Sequence, residues 1–366
     1  MQTIVHVVEG LLRGGSETML ADLLPALSRH YNVVLVSLRP ENIFGDEIVQ
    51  NCHAYYPLEY KGYQSFFSSV KNIKKIIREH KPVLVRSQQT LSTIVARMAC
   101  PKDIPFVFSI HSTLSLQIKS NLKGRVVKLL ERNTVRKSDT LIGVSEVIID
   151  DYKKNFPFQG KSVVLNNYVR DEFFAGQDAE KYSGGTLRLV AIGNLRRPKN
   201  YSYLIEAFKI FRYSDVQLDI YGDGPLLEQI REQIKSADVN IHLKGSTSRS
   251  FDVLKNYHAF VMVSSYEGFG IAVAEAMASG LPVILSDIAV FREITGDNAF
   301  FVDISSIDSF VTLINMVLKG NKSLDIHTAI NKKFASEMYS KNVYIANLLK
   351  IYQNALSGFE AGNNNK

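Results

Sequence analysis

Short apolar runs rich in β-branched residues recur along the chain, each followed by a longer stretch with helical spacing. Thr3–Val8 is the first, and Gly10, Gly14 and Gly15 come after it. A helical pattern from Ser16 to Arg29 then leads to a second apolar run at Val33–Ser37. Strands apolar on both faces belong to parallel sheets, and a glycine turn between strand and helix opens a βαβ unit. Pro82–Ser87, Phe106–Ile110, Thr140–Val144 and Ser162–Leu165 predict further buried strands between helical stretches.

The series then restarts. Leu187–Ile192 predicts a strand, Gly193 opens a loop and Tyr201–Phe211 is helical. Val216–Tyr221, Asn240–Leu243, Phe260–Val263 and Pro282–Leu285 continue the alternation. Between the two series, Arg170 to Thr186 holds Gly176, Gln177, Ser183, Gly184 and Gly185, a composition suited to a linker. A chain of 366 residues also exceeds the usual size of one core. Two parallel-sheet α/β domains are expected, with ligands outside the carboxyl ends of their strands.

Charge changes the picture little. The net charge is +7, with 23 Lys/Arg against 18 Asp/Glu up to residue 180 and 20 against 18 beyond it. The excess sits in the first half, but no recognition module for nucleic acid accompanies it. Cys52 and Cys100 lack metal-ligand spacing, which fits a reducing, cytoplasmic compartment. MQTIVHVVEGLL carries Glu9 and no basic leader, so it predicts a first strand rather than a signal peptide. No run approaches the roughly 18 apolar residues that a membrane span needs.

The chemistry concentrates in residues 264–286, SSYEGFGIAVAEAMASGLPVILS. Glu267 and Glu275 stand eight positions apart across what reads as the start of a helix. Gly268 and Gly270 allow close backbone approach, and Ile271 to Ala278 is small, apolar and helix-forming. Free N–H groups and the dipole at such a helix start favour an anion such as a diphosphate. Two carboxylates beside an anion make sense where the ligand brings hydroxyl donors. The segment points to a nucleotide sugar. A plain βαβ segment with two solvated glutamates is the alternative.

The pattern Glu-Gly-Phe-Gly-(x4)-Glu-Ala-Met-Ala-x-Gly-Leu-Pro-Val-Ile resembles the E-x7-E signature of retaining family 4 glycosyltransferases. That resemblance implies the GT-B fold, an α/β architecture of two facing Rossmann-like parallel-sheet domains with a cleft between them. It assigns 1–175 to an acceptor-side domain, 176–186 to a linker and 187–340 to a nucleotide-sugar domain. The helical run within 341–357 is similar to the segment that crosses back to the first domain, and 358–366 reads as a disordered tail. The implied activity is metal-independent transfer of a sugar, with retention, to a glycan or lipid-linked acceptor in cell-surface polysaccharide assembly. A sugar-nucleotide epimerase of the same architecture, or a non-catalytic sugar-nucleotide-binding module, would share the signature.

The resemblance also distributes roles. Glu267 would hold the donor sugar and Glu275 the ribose. Lys199 and Arg196 would neutralise the leaving diphosphate, together with the backbone of Phe269, Gly270 and Ile271. Asn194 stands where the family usually has arginine, so Arg196 or Arg197 would supply that charge. Gly14 and Gly15 match the family's N-terminal glycine loop, His111 its histidine against the donor sugar, and Gly245 the loop that holds the base. No Asp-x-Asp occurs in the chain, so neither a metal nor another cofactor is expected beyond the donor itself.

One further segment points to a partner. Lys119, Lys123, Arg125, Lys128, Arg132, Arg136 and Lys137 fall within residues 119–137, with Glu131 the only acid among them. Val126, Val127, Leu129 and Leu130 are interleaved. Such a basic amphipathic stretch is able to lie on an anionic membrane surface, at the inner face of the cell membrane. A solvated helix face is the plainer reading. Lys71-Asn-Ile-Lys-Lys-Ile-Ile-Arg78 is a second basic helix of the same kind.

Overall fold

A computed structural model describes residues 1–12, 15–113, 122–175, 181–213 and 215–363, with backbone alone at 122–123 and 360–363. The chain divides into two compact units, one of residues 1–165 and 345–366 and one of residues 166–344. Among the described residues the first unit has seven strands: β1 (Thr3–Val8), β2 (Asn32–Ser37), β3 (Ala54–Pro57), β4 (Leu84–Gln88), β5 (Phe106–Ile110), β6 (Thr140–Gly143) and β7 (Lys161–Val164). They lie in the order β3-β2-β1-β4-β5-β6-β7, all parallel. The second unit has β8 (Leu187–Ile192), β9 (Val216–Tyr221), β10 (Ile241–Gly245), β11 (Ala259–Met262), β12 (Val283–Ser286) and β13 (Phe300–Val302). Their order is β10-β9-β8-β11-β12-β13, again parallel throughout.

Each sheet therefore reverses its strand order once, between β1 and β4 in the first and between β8 and β11 in the second. Those switch points are where open α/β sheets leave a crevice for ligands. All four strands are largely buried, although β4 carries Arg86, Ser87 and Gln88 inside along with Leu84 and Val85. β3 and β13 are absent from the sequence expectation. Both are short edge strands, β3 only partly buried and ending in proline and β13 apolar but three residues long, so neither carries the long buried run that marks a central strand.

The units part elsewhere than the composition suggests. Residues 166–175 belong to the second unit, not to the first. Val169 N donates to Tyr339 O (2.7 Å) and Phe173 stacks edge-on against Phe251, so the segment is packed in place before the glycines arrive. The last helix spans Lys341–Asn363, longer than 341–357, so 358–363 are helical rather than a disordered tail, and 364–366 lie outside the described residues.

A buried ion network braces the first unit. Arg97, on the helix Thr90–Ala99, meets Glu131 Oε1 at 3.0 Å and Asp139 Oδ2 at 2.9 Å, all three buried. Its guanidinium lies over the Phe108 ring (4.6 Å), and Tyr152 donates its hydroxyl to Glu131. Replacing Arg97 by leucine leaves two carboxylates buried without their cation. A loss of about 3–5 kcal/mol is expected in urea unfolding, against near-neutrality for the exposed Arg125→Leu.

Candidate active site

The second unit's switch point is built from backbone first. Gly193 follows β8 and Gly222 follows β9, and a Cβ at 222 would lie 1.9 Å from the Gly193 carbonyl oxygen. That contact lets residues 193–200 fold back across the strand ends, where Leu195 N donates to Asp223 O (2.9 Å) and Leu226 N to Leu195 O (3.1 Å). Ser265 N then donates to Pro198 O (2.8 Å), tying this loop to the one after β11. The tie brings two predicted residues together. Lys199 Nζ donates to Glu267 Oε1 at 2.6 Å, with both side chains mostly buried. Ser264 Oγ donates to the same oxygen at 2.9 Å.

The helix Ile271–Ala278 starts beside this pair. Gly270 caps it at φ 80°, a left-handed conformation that glycine adopts without steric cost. Val273 N donates to Gly270 O (2.8 Å), so the N–H groups of Ile271 and Ala272 are the ones the helix leaves without internal acceptors. Phe269 is buried edge-on against Tyr339, which leaves only its backbone for a ligand. Glu275 lies on the same helix, half-buried, and no hydrogen bond reaches its carboxylate among the described residues. Burial pushes that carboxyl up to about 7, against the opposing pull of Arg170. Arg170 is a cation that sequence reading missed, because it lies in the stretch taken as linker.

The remaining residues are distributed as follows. Asn194, Arg196 and Arg197 are exposed on the folded-back loop, so either arginine is open to an anion. Gly245 ends β10 at φ 74° and accepts from Gly222 N (2.8 Å), which places its loop beside the same strand ends. In the first unit Gly15 begins the helix Gly15–Leu27, with open space where its Cβ would be. Gly14 lies outside the described residues. His111 follows β5 directly and is half-buried. Gln89, after β4, went unpredicted: it sits at φ 72° and its side-chain oxygen accepts from Glu9 N at 3.3 Å. Its amide also donates to Glu17, so it binds the two loops at the first switch point together.

Comparison with known proteins completes this picture. Residues 177–333 match the family described as glycosyl transferases group 1, and residues 13–173 match glycosyltransferase family 4. The chain is a glycosyltransferase with the GT-B fold. It is 28% identical over 309 residues to EpsF of Bacillus subtilis (strain 168), named as a glycosyltransferase, covering 78% of this chain and 79% of that one. It is 26% identical over 278 residues to the UDP-Gal:α-D-GlcNAc-diphosphoundecaprenol α-1,3-galactosyltransferase of Escherichia coli, covering 67% of this chain and 69% of that one. Among solved structures, Anabaena Alr3699/HepE in complex with UDP aligns with a TM-score of 0.79 at 15% identity, over 96% of this chain and 100% of the other.

Glu275 gives this glycosyltransferase a pH-dependent cost. Below the usual carboxyl value of 4.5 the group is protonated whether the chain is folded or not. Between there and about 7 the unfolded chain releases the proton and the folded one holds it, so stability falls as pH rises. Glu275→Gln is expected to stabilise the fold at pH 8 by roughly 2 kcal/mol, allowing for solvent screening, and to do nothing at pH 4. Urea midpoints at the two pH values check it.

Proposed function

We propose that this glycosyltransferase moves a sugar from a nucleotide-diphosphate donor to a glycan or lipid-linked acceptor with retention of configuration and without a metal. The observation that carries the reading is the Lys199–Glu267 pair at the second switch point, beside the open start of the helix Ile271–Ala278. Charge that develops on a leaving diphosphate needs fixed cations and N–H donors, and these are gathered there. Lys199, with Arg196 or Arg197, neutralises the phosphates alongside the N–H groups at Gly270–Ile271. Glu267 accepts from the donor sugar's hydroxyls and supports positive charge at the anomeric carbon. Glu275 accepts from the ribose hydroxyls, which supply the donors its carboxylate otherwise lacks. Gly245 and Asn194 are assigned to the base and phosphates, and the resemblance assigns Gly14, Gly15 and His111 to the donor as well.

In a front-face transfer the anomeric carbon–oxygen bond to the diphosphate breaks as the acceptor oxygen bonds to that carbon. The departing phosphate takes the acceptor's proton, so no protein carboxylate need act as nucleophile. A nucleotide-sugar donor is supported by Anabaena Alr3699/HepE, which shares this fold and whose structures hold UDP or UDP-glucose. A lipid-linked acceptor is supported by the E. coli relative, whose name carries diphosphoundecaprenol.

A lipid-linked acceptor implies work at the inner membrane face, and the helix Leu122–Thr134 bears on that. Glu131, its acid, is buried on Arg97, and Arg136 turns inward to donate to Arg97 O (2.7 Å) and Pro101 O (3.0 Å). The solvent side keeps Arg125, Lys128, Leu129 and Arg132, one continuous face at helical spacing. Lys119 lies outside the described residues. No helix among the described residues is long and apolar enough to cross a membrane.

Two experiments test the reading. A thermal-shift panel of UDP-, GDP-, ADP-, TDP- and CMP-sugars should select one donor class for wild type and none for Glu275→Ala. Glu267→Ala should keep the fold and lose at least about a hundredfold in transfer, with wild-type turnover unchanged in EDTA. Turnover retained by Glu267→Ala, or lost in EDTA, overturns the assigned mechanism. Separately, replacing Arg125, Lys128 and Arg132 by alanine should weaken binding to phosphatidylglycerol vesicles about a hundredfold, at about 1 kcal/mol per cation. Equal binding to pure phosphatidylcholine would remove the membrane role.

A further inference from the structure

Glu267 is held through one oxygen only. Lys199 Nζ and Ser264 Oγ both donate to Oε1, at 2.6 and 2.9 Å, which fills that oxygen's two lone-pair directions and turns Oε2 away from them. The two donors differ in how they are fixed. Lys199 is a long cation on a surface loop, and a diphosphate would compete for it with more charge than one carboxylate offers. Ser264 is fully buried, and its own carbonyl accepts from Ser286 Oγ at 2.6 Å, at the end of β12. Nothing about donor binding would displace it.

We propose that Ser264 is a positioning residue, whose buried hydroxyl keeps Glu267 aimed at the donor sugar when the diphosphate draws Lys199 away. The proposal rests on the transfer reading above. In the resting protein the lysine pairs with the carboxylate and keeps its charge compensated. In the donor complex the lysine moves to phosphate, and the serine is the donor left on Oε1. A carboxylate without it would turn freely in a half-open site, and its hydrogen bonds to the sugar would weaken while contacts to the nucleotide stayed intact.

The test separates sugar from nucleotide. Affinities for UDP-glucose, UDP-galactose, UDP-N-acetylglucosamine and GDP-mannose are measured beside those for UDP and GDP, by calorimetry, with wild type, Ser264→Ala and Ser264→Thr. Ser264→Ala should weaken the sugar nucleotide that wild type binds by fivefold or more, leave the matching free nucleotide within twofold, and match Glu267→Ala in this respect. Ser264→Thr should restore the wild-type ratio, since it keeps the hydroxyl. Equal weakening of both ligands would make Ser264 a structural residue and overturn the proposal, as would an unchanged ratio. If wild type binds none of the panel, the transfer reading itself fails, which is visible without any variant, and this role falls with it.

Discussion

A side chain at position 222 would drive its Cβ to within 1.9 Å of the Gly193 carbonyl oxygen, and the rest of the second unit's site follows from that one close approach. Because the two turns touch, the loop after β8 folds back over the end of β9 instead of rising into solvent. Its far end then reaches Ser265, and only in that position can Lys199 close on Glu267. A lysine and a glutamate 68 residues apart are thus brought within 2.6 Å by two glycines that make no contact with either carboxylate oxygen. The chemistry is carried by side chains, but its geometry is set by backbone.

The first unit shows the complementary device, in which burying charge shapes a surface. Arg97 draws Glu131 and Asp139 inward, and burial pushes the Asp139 carboxyl up to about 6 even with that cation beside it. Moving the one acid of the basic stretch into the interior leaves the exposed helix face cationic around Leu129. The same network fixes the rotation of that helix on the sheet. Of the seven cations and one anion read from sequence, the anion and Arg136 turn inward, and among the described side chains Arg125, Lys128, Arg132 and Lys137 stay exposed.

Much of this was legible in the sequence, for identifiable reasons. Central parallel strands are buried on both faces, so their apolar runs announce them, and the two βαβ series fell where expected. The edge strands β7 and β10 were also legible, whereas β3 (AYYP) and β13 (three residues, FFV) are too mixed or too short to leave a comparable mark. The resemblance assigned Lys199 and Glu267 to one donor, the lysine to its phosphates and the glutamate to its sugar, but neither it nor their spacing predicts that the two pair with each other. Ser264, Gln89 and Arg170 were not legible at all. Each acts through space, and Arg170 was hidden inside a stretch whose later glycines suggested a linker although its own residues pack against the second unit. Glu131 was visible but misread, because a residue's direction on a helix depends on what the neighbouring helix offers it.

The two carboxylates of residues 267 and 275 share a segment and differ in what surrounds them. Glu267 has an ammonium and a hydroxyl on one oxygen in the free protein. Glu275 has burial and a cation too far to hydrogen-bond, and its carboxyl is raised to about 7 as a result. A buried carboxylate without donors lowers stability, and packing alone gives no reason to keep one on an otherwise small, apolar helix. The cost is removed if a ligand arrives carrying hydroxyl donors, which favours the ionised form and lowers the pKa again. On the proposed reading, Glu267 is prepared by the protein, and Glu275 is left for the ligand to complete. That division fits a ligand whose hydroxyls lie on both sides of its phosphates, as they do in a nucleotide sugar.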